Sequence, residues 1–343
     1  MHVNCRDAGP HWTHLSLYPD PGRLLGTRKA GRQGRRGNLL ARRSHARPVR
    51  LRPALAALSN PHFDHALFPL RTPHTEYLPR YAEVFDALEL AALYHDPVPS
   101  QRILGWAAQA PPGFRFPVKL WKAAVDPRSP VVPTGRKTRL GEPAPWAERA
   151  LAHATEALDA LAPLRRSGRL GPLVAQFPPR FTADDAHRAF LARLLGRLGD
   201  AGPAAVELRH RSWWTPATRH LLEEHGVALV WSTYDGAETP PWATAMFGYV
   251  RLTGTARPRR GRPVHVRDRT EALLSLRAAL ADEPWDEAYL VVTNGFEGNA
   301  VDSLPTALAA VGLVEQAVRC RRAPGRPLFP EPPAGKPFMT GAG

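Results

Sequence analysis

Between residues 51 and 318, short apolar runs alternate with longer amphipathic stretches. The runs fall at 54–58 (ALAAL), 87–93 (ALELAAL), 114–119 (FRFPVK), 172–177 (PLVAQF), 204–209 (AAVELR), 227–232 (GVALVW), 247–252 (FGYVRL) and 288–293 (AYLVVT). Most are near-continuous in hydrophobicity, the pattern of parallel strands covered on both faces. Pro117 sits awkwardly within one of them, because it cannot donate to a ladder. The intervening stretches carry the helical period. Phe190, Leu191, Leu194, Leu195 and Leu198 share one face, as do Leu151, Ala154, Leu158, Leu161 and Leu164. Thr182 with Asp185 predicts one helix start, and Thr215-Pro216 another that ends at Gly226. Strand–helix alternation implies a parallel α/β sheet. Eight strands in about 268 residues match the ~250 of a (β/α)8 TIM barrel. No glycine-rich dinucleotide loop follows an early strand, so a Rossmann sheet is the weaker alternative.

Composition then sets the outer limits. The chain has 343 residues, 43% hydrophobic and 22% charged, which excludes a wholly disordered or fibrous protein. No run of about 18 apolar residues is present, so no membrane helix is expected. The first thirty residues lack a secretory core. Two cysteines, Cys5 and Cys320, cannot form a disulfide framework, and a cytoplasmic location is expected. The net charge of +15 invites a nucleic-acid partner, but residues 1–50 carry +9 of it and residues 319–343 carry +4. The body, 51–318, is nearly neutral. Residues 20–50 have no helical or strand period, and 1–50 predict a disordered basic extension, either dispensable or preceding the true translation start. Residues 319–343 predict an unpacked proline-rich tail.

The informative residues are polar ones embedded in the apolar runs. Glu89 lies within ALELAAL, Lys119 ends FRFPVK, and Gln176 lies near the end of PLVAQF. Glu207 and Arg209 are two apart, as are Tyr249 and Arg251, so each pair shares one strand face. Asn294 follows the last run and His210 follows Arg209. A lone buried charge costs several kcal/mol, so these groups must pair or face a wet cavity. In a barrel they converge in the interior near the strand C-termini, where active sites sit. The bland alternative is that Glu207–Arg209 or Glu89–Arg251 are buried pairs that only fix strand register.

The loops add positive charge. Lys122, Arg128, Arg136, Lys137 and Arg139 lie in 121–143, and the loop 254–269 holds six arginines. Both follow strands and would favour an anionic ligand, unless they are merely solvated. The histidines, His62, His65, His95 and His210 among them, show no paired Cys/His or HExxH spacing, so no metal site is expected. Neither a GxSxG elbow nor a P-loop is present.

Five segments together resemble the YecE-like family, also catalogued as domain of unknown function 72. They are 112–119 (PGFRFPVK), 170–179 (LGPLVAQFPP), 206–210 (VELRH) with Ser212 and Trp213, 249–252 (YVRL), and Asn294 with 297–300 (EGNA). They occur in the family's order from about residue 52 to 316. The resemblance implies a TIM barrel and a site, but no established reaction. The family's first strand reads like GTSGW, and here it is ALAAL. Its second strand reads VEIN, and here Glu89 is kept while the asparagine is lost. Strand seven commonly ends His-Gly, and here it ends Thr253-Gly254.

The expected function is an enzyme acting on a small polar or anionic molecule at the C-terminal mouth of the barrel. Glu89, Glu207 and Lys119 are its catalytic candidates. Gln176, Arg209, His210, Tyr249, Arg251 and Asn294 are its substrate-binding candidates. Hydrolysis, isomerisation and lyase chemistry are all open, and Lys119 could alternatively form a Schiff base. The cofactor and the oligomeric state are unknown from the sequence. Two other readings stand beside this one. The first is a nucleic-acid-associated protein using the basic tails and loop 254–269. The second is a non-catalytic ligand-binding barrel.

Overall fold

The computed structural model describes residues 48–58, 66–69, 71–95, 98–126, 146–233, 239–253, 269–293, 300–323 and 326–329. The strands among them are β1 (Arg50–Leu55), β2 (Phe116–Lys119), β3 (Leu170–Gln176), β4 (Ala204–Glu207), β5 (Ala228–Leu229), β6 (Trp231–Ser232), β7 (Phe247–Leu252) and β8 (Glu287–Val292). The α-helices are α1 (His74–Tyr81), α2 (Ser100–Gln109), α3 (Lys122–Val125), α4 (Trp146–Ala160), α5 (Ala162–Arg166), α6 (Asp185–Ala201), α7 (Pro216–His225), α8 (Thr270–Asp282), α9 (Ala300–Ala310) and α10 (Val314–Arg319).

All strand pairs are parallel, in two four-stranded sheets ordered β1-β8-β7-β6 and β2-β3-β4-β5. Two joins relate them around a (β/α)8 barrel. At one, β5 and β6 flank Val230, whose N–H donates to the Val206 carbonyl at 2.9 Å. At the other, residues 87–90 lie between β1 and β2. There Glu89 N–H donates to Leu55 O at 3.0 Å and Leu90 N–H to Pro117 O at 2.8 Å. This second position is two isolated bridges rather than a strand, so the ladders do not close into one continuous sheet. The sequence reason is visible: ALELAAL holds no β-branched or aromatic residue, and a 3-10 turn takes over at Ala91–Tyr94.

Strand side chains alternate between two cores, as the pleat requires. Ala54, Ala87, Val174, Ala205, Ala228, Val230, Tyr249, Tyr289 and Val291 fill the barrel interior. Leu55, Val118, Leu173, Val206, Val250 and Leu290 face outward into the helix layer. Four interior alanines make room for Tyr249 and Tyr289, whose rings stack 5.7 Å apart. Below them Arg52 closes the N-terminal end, donating to Glu287 at 2.7 Å and Asp86 at 2.9 Å. Tyr289 also donates to Glu287, at 2.7 Å. The interior is thus plugged below and polar above.

Pro117 lies inside β2, at a register shift against β3 between Phe116 and Val118. A bulge tolerates the missing N–H. Gly171 makes the arrangement fit, since a Cβ there would stand 2.7 Å from Pro117 N and 2.9 Å from Phe116 C, both backbone atoms. Gly171→Ala is therefore expected to cost about 1–3 kcal/mol through overpacking. Urea denaturation measures it, and an unchanged midpoint would contradict this account.

Several sequence expectations shift in register. The first strand runs 50–55 rather than 54–58, so Arg50 and Arg52 lie within it. The α6 N-cap is Asp184 rather than Thr182, because the Asp184 carboxylate reaches the His187 N–H at 2.9 Å. Thr215, Pro216 and Gly226 bound α7 as expected, with Gly226 left-handed at φ 61°. The tail expected to be unpacked from 319 is pinned further on. Leu328 and Phe329 donate backbone hydrogen bonds to Ala66 and Leu67, and Phe329 stacks on Phe68. One aromatic ring finding an apolar partner outweighs the surrounding proline-rich composition. Of the basic extension, residues 1–47 lie outside the described residues.

Candidate active site

The strand registers place the polar layer. Gln176 pairs with Glu207 across β3 and β4, and Ser232 pairs with Arg251 across β6 and β7. Each is the last or next-to-last residue of its strand, so their side chains form one ring above the interior tyrosines. Arg251 is the hub. Its Nη1 donates to Glu207 Oε2 at 2.6 Å and to Gln176 Oε1 at 2.9 Å. Its Nη2 donates to Glu89 Oε1 at 3.0 Å. Tyr249 Oη donates to the second Glu89 oxygen at 2.7 Å. The second Glu207 oxygen accepts from Arg209 Nε at 2.8 Å and from Ser232 Oγ at 3.1 Å. The planar guanidinium suits this work, because its donors diverge to acceptors on three chain segments at once.

Both carboxylates are fully buried, and Arg251 is 3% exposed. Burial by itself would raise the pKa of Glu207. Arg209, Arg251 and Lys119 overcome that effect and hold it at about 2, so it is a carboxylate throughout the neutral range. Burial and the adjacent Glu89 push the Tyr249 phenol well above its usual value, so it remains a hydrogen-bond donor.

Lys119 differs from its neighbours. It is 8% exposed, and its Nζ lies 4.2 Å from the centre of the Tyr94 ring. Among the described residues it makes no hydrogen bond and no ion pair within 4.0 Å, although Glu89 and Glu207 both act on it through space. Burial lowers its pKa to about 7, with Arg251 and Arg209 pushing the same way and the two carboxylates opposing. A cleft of about 380 Å3 between β2, α2 and α4 borders Lys119, with Leu93, Ile103, Trp121 and Leu161 in its walls.

Of the nine residues singled out from the sequence, Glu89, Gln176, Glu207, Arg209, Tyr249 and Arg251 are joined by direct hydrogen bonds, and Lys119 lies beside them. His210 does something more local. Its Nδ1 accepts from the Ser212 N–H at 3.2 Å and contacts Ser212 Oγ at 2.9 Å, capping a short 3-10 turn. Asn294 lies outside the described residues, as does the basic loop 254–268. Arg269, at the end of that loop, donates to the Thr253 carbonyl at 2.8 Å. Sequence reasoning missed Ser232 and Tyr94. Ser232 could have been found from its place in the sixth run, level with Arg251. Tyr94 carried no comparable signal. No group of three or more His, Cys, Asp or Glu among the described residues is placed to hold a metal ion.

A family model described as protein of unknown function DUF72 matches residues 54–328. The chain belongs to that family. The DUF72 match takes in every described strand except the first residues of β1, and continues through the pinned Leu328. A curated relative, the UPF0759 protein YunF of Bacillus subtilis (strain 168), is 27% identical over 158 residues. That alignment covers 45% of this chain and spans about half, 50%, of the relative's length. The crystal structure of a DUF72 family protein from Enterococcus faecalis V583 superposes with a TM-score of 0.58 at 20% identity, over 78% of this chain and 100% of that one. A second DUF72 structure, from Thermotoga maritima MSB8, gives 0.56 at 20% identity over 78% and 98%. At that identity the likeness establishes the shared fold. No helix among the described residues is long and apolar enough to cross a membrane.

Proposed function

We propose that the ring of polar residues at the C-terminal ends of the strands is the active site of an enzyme that takes a small polar or anionic molecule. One observation carries this reading. Glu89, Glu207, Arg209 and Arg251 are hydrogen-bonded to one another, whereas Lys119 is buried beside them with no hydrogen-bonding partner among the described residues. A pair that only fixes strand register needs no such extra amine, and burying one is costly. Unpaired, it is available to a ligand.

The roles follow from the charges. Glu207 is a fixed anion that holds Arg209 and Arg251 in place. Glu89, held by Arg251 and Tyr249, is the second fixed acceptor. Proton exchange near neutrality falls to Lys119, whose pKa of about 7 suits a general acid or base at that pH. With the two carboxylates balanced by two guanidiniums, a protonated Lys119 leaves one positive charge in excess. A single negative charge on the substrate matches it. Arg209 and Gln176, at the edge of the ring, are the binding residues of this reading.

A thermal-shift screen with organic acids, phosphorylated sugars and nucleotides tests it. A ligand at a hundred times its Kd adds about 2.7 kcal/mol of stability. In a domain of this size that raises Tm by roughly 5 °C. The shift should vanish in Lys119→Ala. A shift of equal size in that variant, or none with any of the three anion classes, would count against the assignment.

A further inference from the structure

Within the site just proposed, and resting on that reading, we infer that Lys119 acts as a covalent amine, condensing with the carbonyl group of a small aldehyde or ketone that carries one negative charge. The geometry comes first. Among the described residues, the groups that act on the amine come from four segments: Glu89 from residues 87–90, Tyr94 from the 3-10 turn, Glu207 and Arg209 from β4 and its end, and Arg251 from β7. None of these accepts a hydrogen bond from it. An ammonium kept for charge alone would be expected to sit against a carboxylate, and two are nearby but turned to arginines. The nitrogen lone pair is therefore uncommitted whenever the proton leaves, which burial and the two guanidiniums encourage.

The chemistry balances without an oxidant or reductant. The neutral Nζ forms a bond to the carbonyl carbon, and the C=O π pair moves to oxygen. A proton passes from nitrogen to that oxygen, giving a carbinolamine. The hydroxyl then leaves as water, taking up from solvent the proton that the lysine ammonium had released, while the nitrogen lone pair forms C=N. The product is a protonated imine bearing the single positive charge that the lysine ammonium had. Glu89 and Glu207 face that charge, and the substrate's anionic group neutralises the excess. An imine of this kind acts as an electron sink, so bond breaking at the carbon next to it becomes accessible. This narrows the open reaction classes to isomerisation and lyase chemistry on a carbonyl compound.

The chain contains its own control. Of its five lysines, Lys122 lies three residues beyond Lys119, has a side chain 37% exposed, and sits 4.0 Å from Asp126. The full-length protein is incubated with glyoxylate, the simplest oxo acid, and cyanoborohydride at a series of pH values, and the labelled lysines are located by peptide mass mapping. Lys119 should label at least about tenfold faster than Lys122 at neutral pH, because burial and the two guanidiniums favour its neutral form. Its labelling rate should reach half-maximum near the pKa of about 7. A glyoxylate thermal shift without selective labelling of Lys119 would overturn the imine and leave the anion site standing. Absence of both shift and labelling would overturn both.

Discussion

Arg251→Met is expected to destabilise the protein by about 3–5 kcal/mol, the usual penalty for stranding buried charges by removing their partner. The guanidinium serves Glu89, Glu207 and Gln176 at 2.6–3.0 Å, and neither carboxylate has water in place of it, since both are fully buried. Glu207 would keep Arg209, so Glu89 is left the more exposed to the loss, with Tyr249 its one remaining side-chain donor among the described residues. Arg251→Lys should recover only part of the deficit, because one ammonium cannot reach three acceptors on separate segments. Chemical denaturation at pH 7 checks this, and a deficit below about 1 kcal/mol, roughly the worth of a surface pair, would mean that the network is not what holds these strands together.

Lys119→Met should do the opposite and stabilise the protein, by about 2–4 kcal/mol at pH 7. An unfolded lysine titrates near 10.5 and the folded one at about 7. Between those values the unfolded state binds more protons, so stability rises with pH, and the folded protein bears the full penalty below pH 7. At about 1.4 kcal/mol per pKa unit the upper bound is roughly 5 kcal/mol. The expected gain is smaller because the substitution also removes the contact of the ammonium with the Tyr94 ring. Methionine preserves the hydrophobic stem and most of its volume. The gain should shrink as pH rises towards 10.5, above which the lysine is uncharged in both the folded and the unfolded state. A residue that weakens the fold is one kept for use, the trade seen where an active site requires an unfavourable group. Thermal or urea unfolding across pH 6 to 10 measures it. A Lys119→Met variant less stable than the parent at pH 7 would show that the amine is a structural element instead.

Much of this polar cluster is legible in the sequence. A glutamate within ALELAAL, a lysine at the end of FRFPVK and an arginine in FGYVRL have no reason to interrupt apolar runs unless something compensates them. The two-residue spacing of Tyr249 and Arg251 put both on one face, and the structure has both on Glu89. What the spacing could not show was which carboxylate each cation chooses. Arg209 lies two residues from Glu207 and does bond to it, but Glu207 also takes Arg251 from across the barrel. Such choices depend on register between strands remote in sequence. His210 illustrates the converse: next to the site in sequence, it is used to cap a turn.

The sequence by itself determined the alternation of strands and helices, their parallel order, and the set of charges that must meet inside. Continuous apolar runs demand cover on both faces, and a charge within such a run demands a partner, so both follow from solvation alone. The tertiary structure decided the rest. It turned the second run into two bridges and a 3-10 turn, moved the first strand to 50–55, and packed Phe329 against Phe68. Above all it paired the other buried charges of the ring and, among the described residues, left Lys119 without a partner. That distinction rests on distances of an ångström or two between side chains up to 162 residues apart, and local pattern carries no information at that range.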